Sequence, residues 1–274
     1  MAEMHKKHEI KEEHHEHNEH RKAKCHSFVW VLLVVAVILL IIVQVQIISL
    51  NKTLKDYGLV TGKIKVKTPA GQQAPAGAPS IDFYVMSYCP YGNQAEEGIA
   101  PVYKELAGKA NFNPHYVIYS NYQGGGSKYC IDAASKYCSM HGNQEMNEDV
   151  REMCVNKYMG VGSWFDFALA MNSKCSSSNA DTCWEAVASG LGLDTAKIKK
   201  CAADEGLALA ETELQLDAAN QVSGSPTIFI NGNAYNGGRA AADFLSALCS
   251  AFTVKPAECA NVVASTATAA SGNC

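Results

Sequence analysis

No two of the eleven cysteines in this 274-residue chain are separated by two residues, so the sequence lacks the knuckle spacing of a closed zinc site. It has no basic excess either. Lys and Arg number 23 against 27 Asp and Glu, and beyond residue 67 there are twelve basic and twenty acidic side chains. That balance leaves no basic face for nucleic acid. Charge is absent altogether from residues 28–50, "FVWVLLVVAVILLIIVQVQIISL", a 23-residue run whose polar members include two glutamines. Such a run is long enough to cross a bilayer, and without a small-residue cleavage pattern at its end it reads as a retained single-pass anchor rather than a cleaved signal peptide.

Basic residues number six before the run and five just after it, which barely decides orientation. Cysteine usage decides better: only Cys25 precedes the run and ten cysteines follow it, a density suited to an oxidising space. The expected layout is a cytoplasmic His-rich tail (1–27), a transmembrane helix at the cell membrane (28–50), a linker (51–80), an extracytoplasmic domain (81–259) and a flexible tail (260–274). The first segment holds seven of the nine histidines among Glu and Lys, which reads as a solvated tail. His14, His15, His17 and His20 are dense enough to bind a divalent ion but match no closed tetrahedral site, so no metal is assigned. Cys25 at the bilayer edge is either a lipidation site or an idle thiol. Asn51-Lys-Thr53 is a glycosylation sequon that abuts the membrane, and Thr68–Ser80 is a Pro, Gly and Ala-rich spacer.

Within the domain, Ile81–Val85 reads as a strand and is followed by "MSYCPYGNQ", which places Cys89 where a strand hands over to a helix. That helix is predicted over about 93–108 and contains Pro101. A second strand is predicted at Pro114–Tyr119, and residues 127–202 read as mostly helical. A further helix near Leu207–Gln221 precedes "GSPTIFINGNAYNGG". Thr227–Asn231 is predicted as a strand, Gly232-Asn233 as a hairpin turn and Ala234–Asn236 as its partner. A closing helix is predicted at Ala240–Phe252.

The order β-α-β, helical insert, α, β-β-α, with "YCPYG" at the first strand-to-helix junction and "GSPTIFINGN" before the third strand, resembles the thioredoxin superfamily, and most closely its DsbA-like branch. The resemblance implies an α/β thioredoxin-like fold with a cysteine-rich helical insertion, preceded here by one transmembrane helix. It also implies a cis proline at Pro226 beside a reactive Cys89, with Ser225 and Pro226 as one wall of a peptide groove and Tyr88, Pro90 and Tyr91 as another. A helix N-terminus favours a thiolate at Cys89, opposed slightly by Glu96 and Glu97. A second, partial resemblance, to gamma-interferon-inducible lysosomal thiol reductases, lies in Cys138-Ser-Met-His141-Gly142-Asn-Gln-Glu145 followed by Cys154, with Met146 where that family has a cysteine.

Redox members of the superfamily resolve the mixed disulfide with a cysteine three residues on, and here position 92 is glycine. Three readings follow. Cys89 works as a monothiol; or Cys130, after the flexible "QGGGSKY", is the resolving thiol; or turnover is lost and the groove serves as a peptide-binding, chaperone-like module. Cys138, Cys154, Cys175, Cys183, Cys201, Cys249 and Cys259 are expected in structural disulfides of undetermined pairing. The short separations 130/138, 175/183 and 249/259 suit local bridges, and Cys274 is the easiest to leave over. The resulting expectation is a membrane-anchored thiol-disulfide oxidoreductase, reductase or isomerase, acting on protein thiols and disulfides without a cofactor, its electron partner unassigned.

Overall fold

The structure of the protein is a computed structural model that describes residues 37–44, 46, 74–264 and 270. The His-rich tail, Cys25, the sequon, most of the predicted anchor, most of the linker and Cys274 lie outside the described residues. The chain divides into two units, 1–66 and 67–274. In the first, residues 37–44 are helical, and the apolar side chains from Val37 to Val43 are all exposed. No helix among the described residues is long and apolar enough to cross a membrane.

The second unit is built on a four-stranded sheet of order β2-β1-β3-β4. Strand β1 (Ser80–Val85) alternates its side chains, so Ile81, Phe83 and Val85 enter the core on one face. Strand β2 (Asn111–Tyr116) runs parallel to it, from Ser80↔Asn111 to Val85↔Tyr116. The predicted second strand is therefore displaced toward the N-terminus. Val117 still donates to Val85, but β1 then turns away at Met86, and the Ile118 N–H goes instead to the Asp217 carboxylate at 2.8 Å. Pro114 is tolerated because β2 is an edge strand and one side of it needs no ladder donor. Strand β3 (Thr227–Ile230) pairs antiparallel with β1, and β4 (Asn233–Ala234) with β3. Ile230 opposes Asn233, so the hairpin turn is Asn231-Gly232, one residue earlier than predicted. Both have positive φ, 51° and 75°, as a two-residue primed turn requires.

Helix α1 (Pro90–Leu106) follows β1 and runs on through Pro101. The insert contains α2 (Asn143–Met159), α3 (Val161–Lys174) and α4 (Ala180–Gly190), and α5 (Thr195–Asn220) leads back to the sheet. Residues 127–142, predicted as helical, are instead a loop closed by the Cys130–Cys138 disulfide. Helix α6 (Ala241–Ser250) closes the fold against α1. Gly98 makes that packing feasible: a Cβ there would stand 2.2 Å from the Arg239 carbonyl oxygen and 2.9 Å from the Phe244 ring.

Phe83, Trp164, Phe165, Tyr103 and Phe112 form one aromatic cluster, with centroid separations of 4.9–6.0 Å. Trp164 donates to the Tyr116 hydroxyl, which in turn donates to Glu152. Four disulfides brace the described unit: Cys130–Cys138, Cys154–Cys201, Cys175–Cys183 and Cys249–Cys259. The chain stays attached past residue 259, where flexibility was expected. Asn261 donates to Glu105 on α1, and Val263 is buried in the core.

Candidate functional site

Cys89 is the residue that caps α1. Its backbone is extended (φ −76°, ψ 118°), its N–H returns to Met86 O at 3.0 Å, and Pro90 occupies the first helical position, where a missing N–H costs nothing. The unpaired N–H groups of the first turn therefore point toward the cysteine. The Ser225–Pro226 peptide bond is cis, as the resemblance implied. It lies against the cysteine: Cys89 Sγ is 3.4 Å from the Ser225 carbonyl oxygen, and Ser225 Oγ accepts the Met86 N–H at 3.1 Å. Two segments 136 residues apart in sequence thus meet at the sulfur. Cys89 is 0 % exposed and is itself disulfide-bonded.

Position 92 is packed shut. A Cβ on Gly92 would meet Ser225 Oγ at 2.5 Å, with Met86 O at 3.4 Å and Val85 Cβ at 3.5 Å behind it. The serine hydroxyl occupies the room that a second motif cysteine would need.

Beneath the loop that carries Cys89, α2 presents carboxylates where an amphipathic helix would present apolar side chains. Ser87 donates through both its N–H (3.1 Å) and its Oγ (2.6 Å) to Asp149, and the Tyr88 N–H donates to Glu145 at 2.8 Å. Glu145 is also bonded by Ser139 Oγ (2.5 Å), the His141 N–H (3.0 Å) and the His141 ring. The His141-Gly142…Glu145 motif therefore organises the floor of the site, while Met146 is a buried core residue. Glu148, Asp149, Glu152 and, from α1, Glu96 are all buried, with Arg151 reaching Glu148 and Asp181. Burial pushes Glu96 up to about 8, against the hydrogen bond from Asn172, and Glu148 up to about 7, against its Arg151 partner. Desolvation also raises Asp149 and Glu152 well above the carboxylate range. Glu96 is thus held toward its neutral form, and its opposition to a Cys89 thiolate is smaller than its sequence position suggests.

The predicted groove residues separate. Pro90, Tyr91, Ser225 and Pro226 stay half-buried around the sulfur. Tyr88 turns inward: its hydroxyl is buried, and burial together with Glu148 and Glu152 raises its pKa. Tyr91 instead carries the Arg239 guanidinium 5.2 Å above its ring, and Arg239 also donates to Gln94. Arg239 and Asp149 were missed in the sequence because neither lies within a recognisable motif. Cys130 is bonded to Cys138, so it does not pair with Cys89 in this structure. The three local bridges expected from short separations are all present, and Cys154 and Cys201 make the fourth. Among the described residues no group of three or more His, Cys, Asp or Glu side chains could hold a metal ion.

Residues 96–249, more than half of the chain, match the family described as vacuolar sorting receptor thioredoxin-like domain. Vacuolar-sorting receptor 7 of Arabidopsis thaliana is 29% identical over 191 residues, and vacuolar-sorting receptor 1 of Pisum sativum 26% over 186. Each match covers 57% of this chain and 30% of the relative, so the chain spans about a third of the length of these relatives. The fold is that of the reduced disulfide bond oxidoreductase DsbG from Mycobacterium tuberculosis, with a TM-score of 0.50, 19% identity, and coverage of 74% of this chain and 93% of that one. The DsbA-like thioredoxin resemblance read from "YCPYG" and "GSPTIFINGN" is thereby met.

Proposed function

Because the chain belongs to the vacuolar sorting receptor thioredoxin-like domain family, we propose that it is a membrane-held module that engages protein partners and exchanges thiols and disulfides with them through Cys89, as a reductase or isomerase. The observation that carries this reading is the position of the Cys89 sulfur, at the N-terminus of α1 and 3.4 Å from the carbonyl before a cis proline. A helix N-terminus stabilises the thiolate that attacks or leaves. The half-buried Ser225-Pro226 edge supplies backbone for an extended peptide. The anchor would be the uncharged run at 28–50, of which the described part is helical with exposed apolar side chains.

A second reading, peptide binding without turnover, is favoured by the names of the curated relatives, which are receptors. One substitution separates the two. Cys89→Ser should abolish exchange with a disulfide-bonded model peptide. If the wild-type chain binds such peptides, exchanges none, and Cys89→Ser binds equally well, the receptor reading replaces the enzymatic one. The topology is tested by protease added outside intact cells, which should cut the cysteine-rich unit and spare the His-rich tail.

A further inference from the structure

We propose that Arg239, held against Tyr91 and Gln94 on the flank of α1, is a carboxylate-binding subsite beside Cys89. It selects partner segments that carry Asp or Glu about three residues from the cysteine they present. The inference rests on the reading that peptides lie along the Ser225-Pro226 edge, and adds to it the chemical class of the peptide.

The spacing of α1 assembles the subsite. Tyr91, Gln94 and Gly98 stand at i, i+3 and i+7, so they share one face of the helix, and the chain at Arg239 crosses that face. Gly98 admits the Arg239 carbonyl, the Tyr91 ring centroid lies 5.2 Å from the guanidinium carbon, and Gln94 Oε1 accepts from Nη1 at 3.2 Å. Stacked on a ring and anchored at one nitrogen, the guanidinium is in place before any partner arrives.

Its charge has no counterpart in the fold. Of the two arginines among the described residues, Arg151 reaches the carboxylates of Glu148 and Asp181, whereas no carboxylate lies within ion-pair distance of Arg239. The acid nearest to it in sequence, Asp243, caps α6 through the Ala240 N–H. Nε and Nη2 of Arg239 make no hydrogen bond among the described residues, and, unlike Nη2 of Arg151, they are not buried. With Nη1 taken by Gln94, the edge left over is the one whose two parallel N–H groups match the two oxygens of a carboxylate.

The subsite is close enough to the sulfur to read the same peptide. Tyr91 lies in the first turn of α1, two residues after Cys89, and Gly92 faces Ser225 on the adjoining face. A helix with its side chains is about 10–12 Å across, so a group on the flank of that turn lies about that far from a sulfur on the cap. That distance is about three residues of extended chain. The N-terminus of α1 adds a field of the same sign.

The test measures binding to the full-length chain by fluorescence anisotropy, with labelled peptides that are identical except for Glu, Gln or Lys flanking a central serine. Serine stands in for cysteine, so binding is read apart from exchange. The Glu peptide should bind about fivefold more tightly than the Gln peptide, and the Lys peptide more weakly than either, with the spread shrinking in high salt. In Arg239→Gln the ratio of Glu to Gln affinities should fall to about one, and in Arg239→Glu the order should invert. Arg239→Lys keeps the charge without the fork and should lower the ratio. It carries the test if the other variants do not fold, and a ratio equal to wild type overturns the subsite. Equal binding of all peptides by the wild-type chain overturns it too, as does an Arg239→Gln variant that weakens every peptide by one factor, the mark of a structural stack. If no peptide binds, the groove reading fails and the subsite falls with it. If the Glu preference depends on Arg239 but Cys89 exchanges no disulfide, the receptor reading replaces the enzymatic one and the subsite stands.

Discussion

Restoring a side chain at position 92 should damage the site rather than repair it. In Gly92→Ala the new Cβ would stand 2.5 Å from Ser225 Oγ, too close for either atom to stay in place. The serine hydroxyl is the more mobile of the two, and rotating it away breaks the bond it accepts from the Met86 N–H. Met86 is fully buried, so that N–H then has no water to turn to. An unsatisfied buried donor costs about 1–3 kcal/mol, while replacing a helical glycine by alanine returns at most about 1 kcal/mol. The net expectation is a loss of about 0–2 kcal/mol, read as a lower urea midpoint for the full-length chain followed by tryptophan fluorescence. The sharper readout is the double-mutant cycle. In a Ser225→Ala background the hydroxyl is already gone, so adding Gly92→Ala should be neutral or stabilising, with a coupling of about 1–3 kcal/mol. Equal effects of Gly92→Ala in both backgrounds would refute the claim that the serine occupies the missing cysteine's place. Gly92→Cys carries the same Cβ and should likewise fail to give a stable CxxC protein while Ser225 is present.

Two further outcomes follow from the buried charge and the bridges. The folded pKa values of Glu96 (about 8), Glu148 (about 7) and Asp217 (about 8) lie above their unfolded values, chiefly through burial, so the native state holds protons that the unfolded chain has released. Stability should therefore be full below about pH 4.5 as far as these groups are concerned and decline as pH rises through 7 to 8. Thermal unfolding should accordingly show a higher Tm at pH 5.5 than at pH 8.5, and the reverse order would mean that these carboxyls are ionised in the fold. The Cys154–Cys201 bridge closes 47 residues and Cys130–Cys138 only 8. On chain-entropy grounds, replacing the first pair by serines should cost about 4 kcal/mol and the second about 2.5 kcal/mol. Denaturation of the two double variants ranks them, and equal losses would remove loop length as the cause.

The candidate site was legible because its signals are local. A β-branched and aromatic run, then Cys-Pro, then a helical pattern puts a sulfur at a helix N-terminus wherever the rest of the chain goes, and Ser-Pro ahead of "TIFINGN" marks a proline positioned before a strand. The three short-range bridges were legible for the same reason, since eight to ten residues seldom carry two cysteines far apart. The boundaries that moved did so where a neighbour intervened. Asp217 of α5 took the Ile118 N–H, so the apolar "VIY" left the ladder, and the right-handed twist of β3 and β4 suits a primed turn at Asn231-Gly232, both at positive φ.

The local chemistry of a cysteine at a strand-to-helix junction, the thioredoxin-like order of elements and the acidic character of the cysteine-rich unit are properties of the chain's linear order, carried by residues that act on their immediate neighbours. What surrounds that cysteine is not. The carboxylates of α2 belong, by every compositional expectation, on a solvated face; two of them, Glu145 and Asp149, are buried where they accept the N–H groups of Tyr88 and Ser87 that their own strand no longer pairs. Gly92 reads from the sequence as a lost cysteine, but Ser225, 133 residues away, fills the space beside it, and Cys130, one of the candidate resolving thiols, is bonded to Cys138. Such contacts join residues that no sequence period or spacing relates, so they exist only once the sheet and helices have brought the segments together.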